Sequence, residues 1–562
     1  MKKPQAKPAS TSDTDLFLVG QLAAAISIGS FFYYLRHGDL LLYGDAVAHI
    51  NIARRVFDSQ TPGPLQLGTV WLPLPHILMM PFIVSRWMWQ TAIGGAIPSM
   101  IAYLFSVIGV FLLVRGISGS TREAATFRKT GEKWGTPVSG EVRFAAWFAA
   151  AIFALNPNLI YLQTTAMTEP VYLAFFIWAV VFFVRALRAC AAGDPKLGNS
   201  SLVKCGLCLL GGCLTRYDGW LFAAVLVAVG VGLARTGNFA PLRSGVRKLV
   251  LLAAIGPALW LAYNAAVYRN PLEFANGPYS AKAIEQKTSV PGTPAHPGAH
   301  DLPVAFRYFF KSAQLNLAPG KWQLFWVAAL LLGTATALLF QRKQWPLIFL
   351  WVPVPFYMLS IAYSGVPLFV PVWWPFSHYN VRYGIEMLPA FAVFTAIAAY
   401  GLLRFAAGTK AKAAIVASFI LFSVASYARV WRTDPVSYQE AAVNSRTRIA
   451  LETQLASVLQ ALPANTKFLM YLGDHVGMLQ QAGISLSRVI NEGNHRPWMH
   501  PDDPGGLWEH ALQHPASYAD VVITFKGDPV AAKVNKSELV SVEILRVSGQ
   551  PQATIYRTLK PG

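Results

Sequence analysis

Charge is scarce in this chain. Only 13% of its 562 residues are Asp, Glu, Lys or Arg, while 54% are hydrophobic and 17 are tryptophan. Mean hydropathy is +0.40. That balance excludes an ordinary soluble enzyme and indicates a protein that crosses the membrane several times. Acids are the scarcer sign, 27 Asp and Glu against 47 Lys and Arg, for a formal charge of +20. In a soluble domain such an excess would suggest nucleic acid. Here most cations sit in short loops between apolar runs, where they set topology and meet membrane lipids, so no nucleic-acid partner is expected. Cysteine is nearly absent. Cys190, Cys205, Cys208 and Cys213 lie in or beside apolar segments, and none follows Cys213, so the C-terminal region has no disulfide to rely on. The Cys205-x-x-Cys208 spacing reads as a small-residue membrane helix rather than a metal or redox pair. No small-residue cleavage site follows the basic tail MKKPQAKPASTSD, so the first apolar run is expected to be a retained span.

Apolar runs of about 17–25 residues, the length a membrane helix requires, fall near 15–36, 97–117, 144–162, 170–188, 202–216, 219–235, 248–268, 322–341, 345–363, 385–404 and 412–430. About eleven transmembrane helices with the N-terminus inside put Arg122, Arg128, Lys129 and Lys133 in the cytoplasm, together with the later basic loops. The loop 157–169, which has neither Lys nor Arg, falls outside. The region 71–92 is also apolar, but it starts with prolines and carries Arg86 amid tryptophans. Counting it as a span would invert every later loop, so it is expected at the interface.

The resulting plan is an α-helical polytopic membrane protein of the bacterial inner or plasma membrane. A cytoplasmic tail, 1–14, precedes a transmembrane domain, 15–430, with large outer loops at 37–96, 269–320 and 364–384. Residues 431–562 are more polar. LMYLGDHVGMLQQAG, YADVVITFKG and LVSVEILRVSGQPQATIYRTL predict strand–turn–helix, strand and a strand pair, hence a small extracytoplasmic α/β domain.

An enzyme at the outer leaflet needs a base, a grip on an anionic headgroup and an apolar groove. Asp45 follows directly on the first span, with His49 at i+4 and Arg54 and Arg55 beyond, and is the best candidate base. Glu169 is the second acid, at a helix start where it would also suit the dipole. Asp218 stands beside Arg216 in a tight turn, where a local ion pair is the plain account. His49, His76 and His378 could join Asp45 around a divalent ion, but nothing in the sequence fixes their distances, and no metal ligand is assigned. Arg54, Arg55, Arg216, Lys282 and Arg382 lie on the outer side against the topology rule, which marks them for anion binding. Trp71, Trp373 and Trp374 suit an interfacial belt or a sugar face.

These motifs resemble a family. An Asp just after span one, a "WLPLPH" segment, an acid-bearing second loop, an "LTRYDGW" turn and an "RYGIEMLP" span start are similar to GT-C glycosyltransferases, in particular protein O-mannosyltransferases and lipid A aminoarabinose transferases. The likeness covers roughly residues 15–430. It implies an inverting transfer of a sugar from a polyprenyl-phosphate donor to a hydroxyl of a glycan, lipid or protein at the outer face. Asp45 would match the catalytic first-loop Asp, Glu169 the second-loop acid, and Arg382-Tyr383 the Arg-Tyr before the tenth span. His49, Arg54, His76, Arg216, Asp218, Lys282 and His378 complete the expected substrate-binding set. Those families often carry an Asp-Glu pair where this chain has Asp45-Ala46, so no metal cofactor is required by the resemblance, although a divalent ion is admitted. The competing reading is a transporter or flippase of a lipid-linked substrate, which would favour mid-membrane charges and repeated halves; the sequence has no internal repeat.

Overall fold

The computed structural model describes residues 11–116, 139–288, 294–473, 475–499 and 503–559, together with Gly292. Among these, nine helices are long and apolar enough to cross a membrane. They agree in position with nine of the eleven expected spans. The two others are helical but do not meet that standard. The expected span 144–162 is broken into Gly140–Ala154 and Pro157–Leu162, because Asn156 accepts hydrogen bonds from the amides of Asn158 and Leu159 as a cap and Pro157 has no N–H to continue the ladder. The expected span 202–216 is the helix Pro195–Cys213, started by the Asp194 side chain on the Leu197 amide and diluted by Asn199, Ser200, Ser201 and Lys204. The region 71–92 forms two short helices, Leu74–Ile83 and Arg86–Gln90. Ten residues rise about 15 Å, half the hydrocarbon thickness. The basic loop with Arg122, Arg128, Lys129 and Lys133 lies outside the described residues.

Burial orders the bundle. The most hydrophobic stretch of Val381–Phe405 is 94% buried and forms the centre, whereas that of Thr14–His37 is 22% buried and faces outward. Close backbone approaches need glycine at two motif positions. A Cβ on Gly219 would stand 2.7 Å from the Gly212 carbonyl, which permits the tight LTRYDGW turn. A Cβ on Gly384 would collide with the backbone of Ser312 and Ala313, so the helix Leu302–Leu315 abuts the RYGIEMLP segment.

After Thr409–Arg432, a break at Thr433–Pro435 leads into a long helix, Val436–Gln460. Beyond it lies a five-stranded sheet of order β2-β1-β3-β5-β4, with β1 Phe468–Leu469, β2 Val489–Ile490, β3 Val521–Phe525, β4 Leu539–Leu545 and β5 Ala553–Thr558. β1 runs parallel to β2 and β3; β5 runs antiparallel to β3 and β4. The three sequence patterns correspond to β1 with the helix Gly477–Ala482, to β3, and to the β4–β5 pair. This region is tied to the loop after the first span by a buried ring of amides and an indole. Asn51 donates to Gln480 Oε1 (2.7 Å), Gln480 donates to the Trp89 carbonyl (2.7 Å), and the Trp89 indole donates to Asn51 Oδ1 (3.1 Å). Burial opposes the charge of Asp58, but hydrogen bonds from Ser485, Arg54 and the Ser487 amide outweigh it and hold the carboxyl below its usual range.

Candidate active site

The first loop turns through Gly38, in the left-handed region (φ 77°), into the helix Gly44–Arg55, which carries Asp45 in its first turn. Asp45 meets Arg382, the second residue of the central span, through the guanidinium Nη2. Arg382 gathers two further acids. Its Nε contacts Glu169 Oε1 at 3.2 Å, and its Nη1 donates to Glu440 Oε1 at 2.7 Å. The Arg382 Cζ lies 5.0 Å from the ring centroids of both Tyr43 and Tyr383, within cation–π reach.

A second arginine builds the adjoining layer. Arg216, from the LTRYDGW turn, reaches Glu169 (3.2 Å), Asp218 (3.1 Å) and Glu386 (3.2 Å). It also donates to Thr168 Oγ1 at 3.0 Å and to Tyr357 OH at 2.8 Å. Tyr357 in turn donates to Glu386 Oε1 at 2.7 Å. Tyr383 lies between the two arginines, with Arg216 5.1 Å from its ring on top of the Arg382 contact. Two guanidiniums therefore share five carboxylates. Four of those, Glu169, Asp218, Glu386 and Glu440, are buried. Asp45 alone is open, its side chain 40% exposed.

The expected site residues divide accordingly. Asp45, Glu169, Arg216, Asp218, Arg382 and Tyr383 come together in one cluster. Arg216 pairs locally with Asp218, as the turn suggested, and with two other acids besides. Arg382 does not pair with Glu386 one turn along. His49 and His76 form a pair of their own, Nδ1 to Nε2 at 2.9 Å, with Trp71 packed 4.8 Å from the His49 ring. Burial lowers the His49 pKa to about 3, helped by Arg382 and Arg216, and burial likewise pushes His76 well below its ordinary value. Both are neutral at pH 7, so neither supplies a cation to a phosphate. Arg54 is occupied elsewhere, bonded to Asp58 (2.7 Å) and to the carbonyls of Ile83 and Val84. His378 contacts Gln439 at 3.1 Å. Lys282, on the helix Ala281–Thr288, packs by its backbone against Gly365 and enters none of the ion pairs described.

Four residues of the cluster were not among the sequence candidates: Tyr43, Tyr357, Glu386 and Glu440. Glu386 had a signal, an acid inside a membrane-length apolar run. Glu440 had none, because it stands in a polar stretch where acids are common. Arg55 acquires weight for a different reason. Its Nε is buried with no hydrogen-bond partner, and it has no carboxylate partner among the described residues.

Among the described residues, no three His, Cys, Asp or Glu side chains are placed to hold a metal ion. Arg382 stands between Asp45 and Glu169, and the two histidines ligate each other by hydrogen bond. The donor set does not fit a divalent ion.

No protein-family model matches the chain, and no curated protein sequence matches it. Solved structures do. ArnT from Cupriavidus metallidurans bound to undecaprenyl phosphate superposes with a TM-score of 0.53 at 13% identity, over 95% of this chain and 97% of that one. The apo state of the same ArnT gives 0.50 at 12% identity over the same shares. The chain shares the fold of that ArnT. In this fold the three motif positions of the resemblance, first-loop Asp45, second-loop Glu169 and Arg382 at the span start, are joined through one guanidinium.

Proposed function

We propose that this protein is an inverting glycosyltransferase of the outer membrane face, moving a sugar from a polyprenyl-phosphate donor to an acceptor hydroxyl. The observation that carries the reading is Asp45. It is the single solvent-open carboxylate of a cluster whose four other carboxylates are buried, in a fold shared with ArnT. Arg382, through its Nη2, fixes the direction of that carboxylate, and a general base has to be held within reach of the proton it takes. The acceptor hydroxyl gives its proton to Asp45 Oδ, its oxygen forms the bond to the anomeric carbon, and the phosphate departs with the bonding electron pair. That phosphate already leaves readily; the protein has to neutralise its charge. Arg382 and Arg216 are matched by protein carboxylates, so Arg55, with its buried unpartnered Nε, is assigned to the donor phosphate. That the chain binds undecaprenyl phosphate, as ArnT does in its crystal structure, is part of the proposal, as are the acceptor's identity and the outward orientation of the C-terminal domain.

The test is transfer by purified protein from undecaprenyl-phosphate-linked hexoses and pentoses, wild type against Asp45→Asn. Loss of general-base catalysis costs about 10²–10⁴ in rate. Asp45→Asn turnover near the wild-type rate overturns the assignment of the base, and failure of every donor overturns the transferase reading.

A further inference from the structure

We propose that Glu440 is a positioning residue that makes the C-terminal region a working part of the Asp45 site; this rests on the transferase reading. Glu440 lies in the first turns of Val436–Gln460, outside the motifs of the transmembrane domain. It is buried, and both its oxygens are used. Oε1 accepts from the Asn380 amide at 2.9 Å and from Arg382 Nη1 at 2.7 Å; Oε2 accepts from the Arg382 amide at 3.0 Å. One carboxylate thus fixes both the backbone and the guanidinium of the residue that holds Asp45. Asn380, in the left-handed region at φ 58°, gains an anchor there as well as through its own bond to the Pro367 carbonyl (2.8 Å).

The helix end that presents Glu440 is itself locked. The Ser437 amide donates to Asn158 Oδ1 (2.8 Å), the Ser437 hydroxyl to Asn316 Oδ1 (3.2 Å), and Tyr43, two residues before Asp45, donates to the Ser437 carbonyl (2.7 Å). Farther along the same helix, Arg448 donates to the carbonyls of Leu41 and Leu42 (2.9 and 3.1 Å). The Asp45 helix is also gripped from its far side by Gln480 through Asn51. A guanidinium free to turn about its side chain would present different donors to Asp45 from one moment to the next. Held at three points, it presents one.

Glu440→Gln keeps the shape and removes the charge. Amide hydrogen exchange on the protein without ligand is the first readout. Residues 43–50 and 378–387 should exchange about tenfold faster, the factor for losing one charge-assisted hydrogen bond, while β3 and β5 stay protected. With an undecaprenyl-phosphate sugar that the wild type accepts, kcat should fall about 10- to 100-fold, affinity for undecaprenyl phosphate should stay within about twofold, and Glu440→Asp should recover part of kcat. Unchanged exchange at 43–50 overturns the coupling whether or not transfer is observed. Absence of transfer by the wild type overturns the transferase reading and leaves the exchange result to decide the coupling. Faster exchange with undiminished kcat overturns the positioning role.

Discussion

Arg382→Ala separates a structural guanidinium from one that grips substrate. Each of its three nitrogens faces a protein carboxylate, so the first cost is stability. Glu440 keeps two backbone amides and Glu169 keeps Arg216, but both remain buried beside the place the cation left. Removing one partner of a buried ion pair costs about 3–5 kcal/mol, chiefly because the other charge is left uncompensated. The contact to Asp45, 40% exposed, adds under about 1 kcal/mol because solvent screens it. Cation–π contact with Tyr43 and Tyr383 adds about 0.5–2 kcal/mol. The sum is about 3.5–8 kcal/mol, a large share of a typical folding free energy. Tryptophan-fluorescence melting in detergent should therefore show a drop of several degrees, and affinity for undecaprenyl phosphate measured well below that melting point should change little. An Arg382→Ala protein that melts like the wild type but binds the phosphate lipid tenfold more weakly refutes the reasoning and returns Arg382 to the substrate.

Arg55→Gln should show the reverse, a loss of about 10- to 100-fold in affinity for undecaprenyl phosphate by titration, with an unchanged melting temperature. Transfer activity should survive EDTA; loss restored by a divalent ion would make Asp45 a ligand instead of a base. His49 stays neutral in the fold down to about pH 3, whereas an unfolded histidine takes its proton near pH 6.5. Unfolded chains then bind more protons across that interval, so stability should fall as pH drops below about 6.5, by up to about 1.4 kcal/mol per pH unit, and His49→Gln should flatten that slope in acid-unfolding curves. A reporter fused after Gly562 should read extracytoplasmic and one after Lys133 cytoplasmic; the same side for both would refute the eleven-span topology.

Much of the fold is legible in the sequence because its signals are local. Nine span positions follow from apolar length, and the charge parity of the loops argued against a full span over 71–92, where two short helices stand, Leu74–Ile83 and Arg86–Gln90. The strands β3, β4 and β5 follow from runs of β-branched and aromatic residues. What was read less well also has local causes. The break at Asn156-Pro157 sits inside an apolar run, and β2, two residues long, carries almost no pattern.

The site is different. Counting spans in the sequence led to the expectation that Asp45, Glu169, Arg216, Asp218, Arg382 and Tyr383 share one side of the membrane, since each lies at the end of an expected span or in a loop between two. Only the tertiary structure decided which charges meet. Arg382 faces Asp45, 337 residues away in the chain, Glu169, 213 away, and Glu440, 58 away, and not its own helical neighbour Glu386. Glu386 went to Arg216 and Tyr357 instead. Helical spacing sets which partners a side chain could reach on its own element, but the partners it takes in a buried cluster depend on where the other helices end. That in turn follows from contacts such as Gly384 on Ser312 and Gly219 on Gly212. Such packing has no signature in composition or period, and that is why Glu440, and the unpartnered Nε that sets Arg55 apart from the other outer-side cations of the sequence reading, became visible only once the helices were assembled.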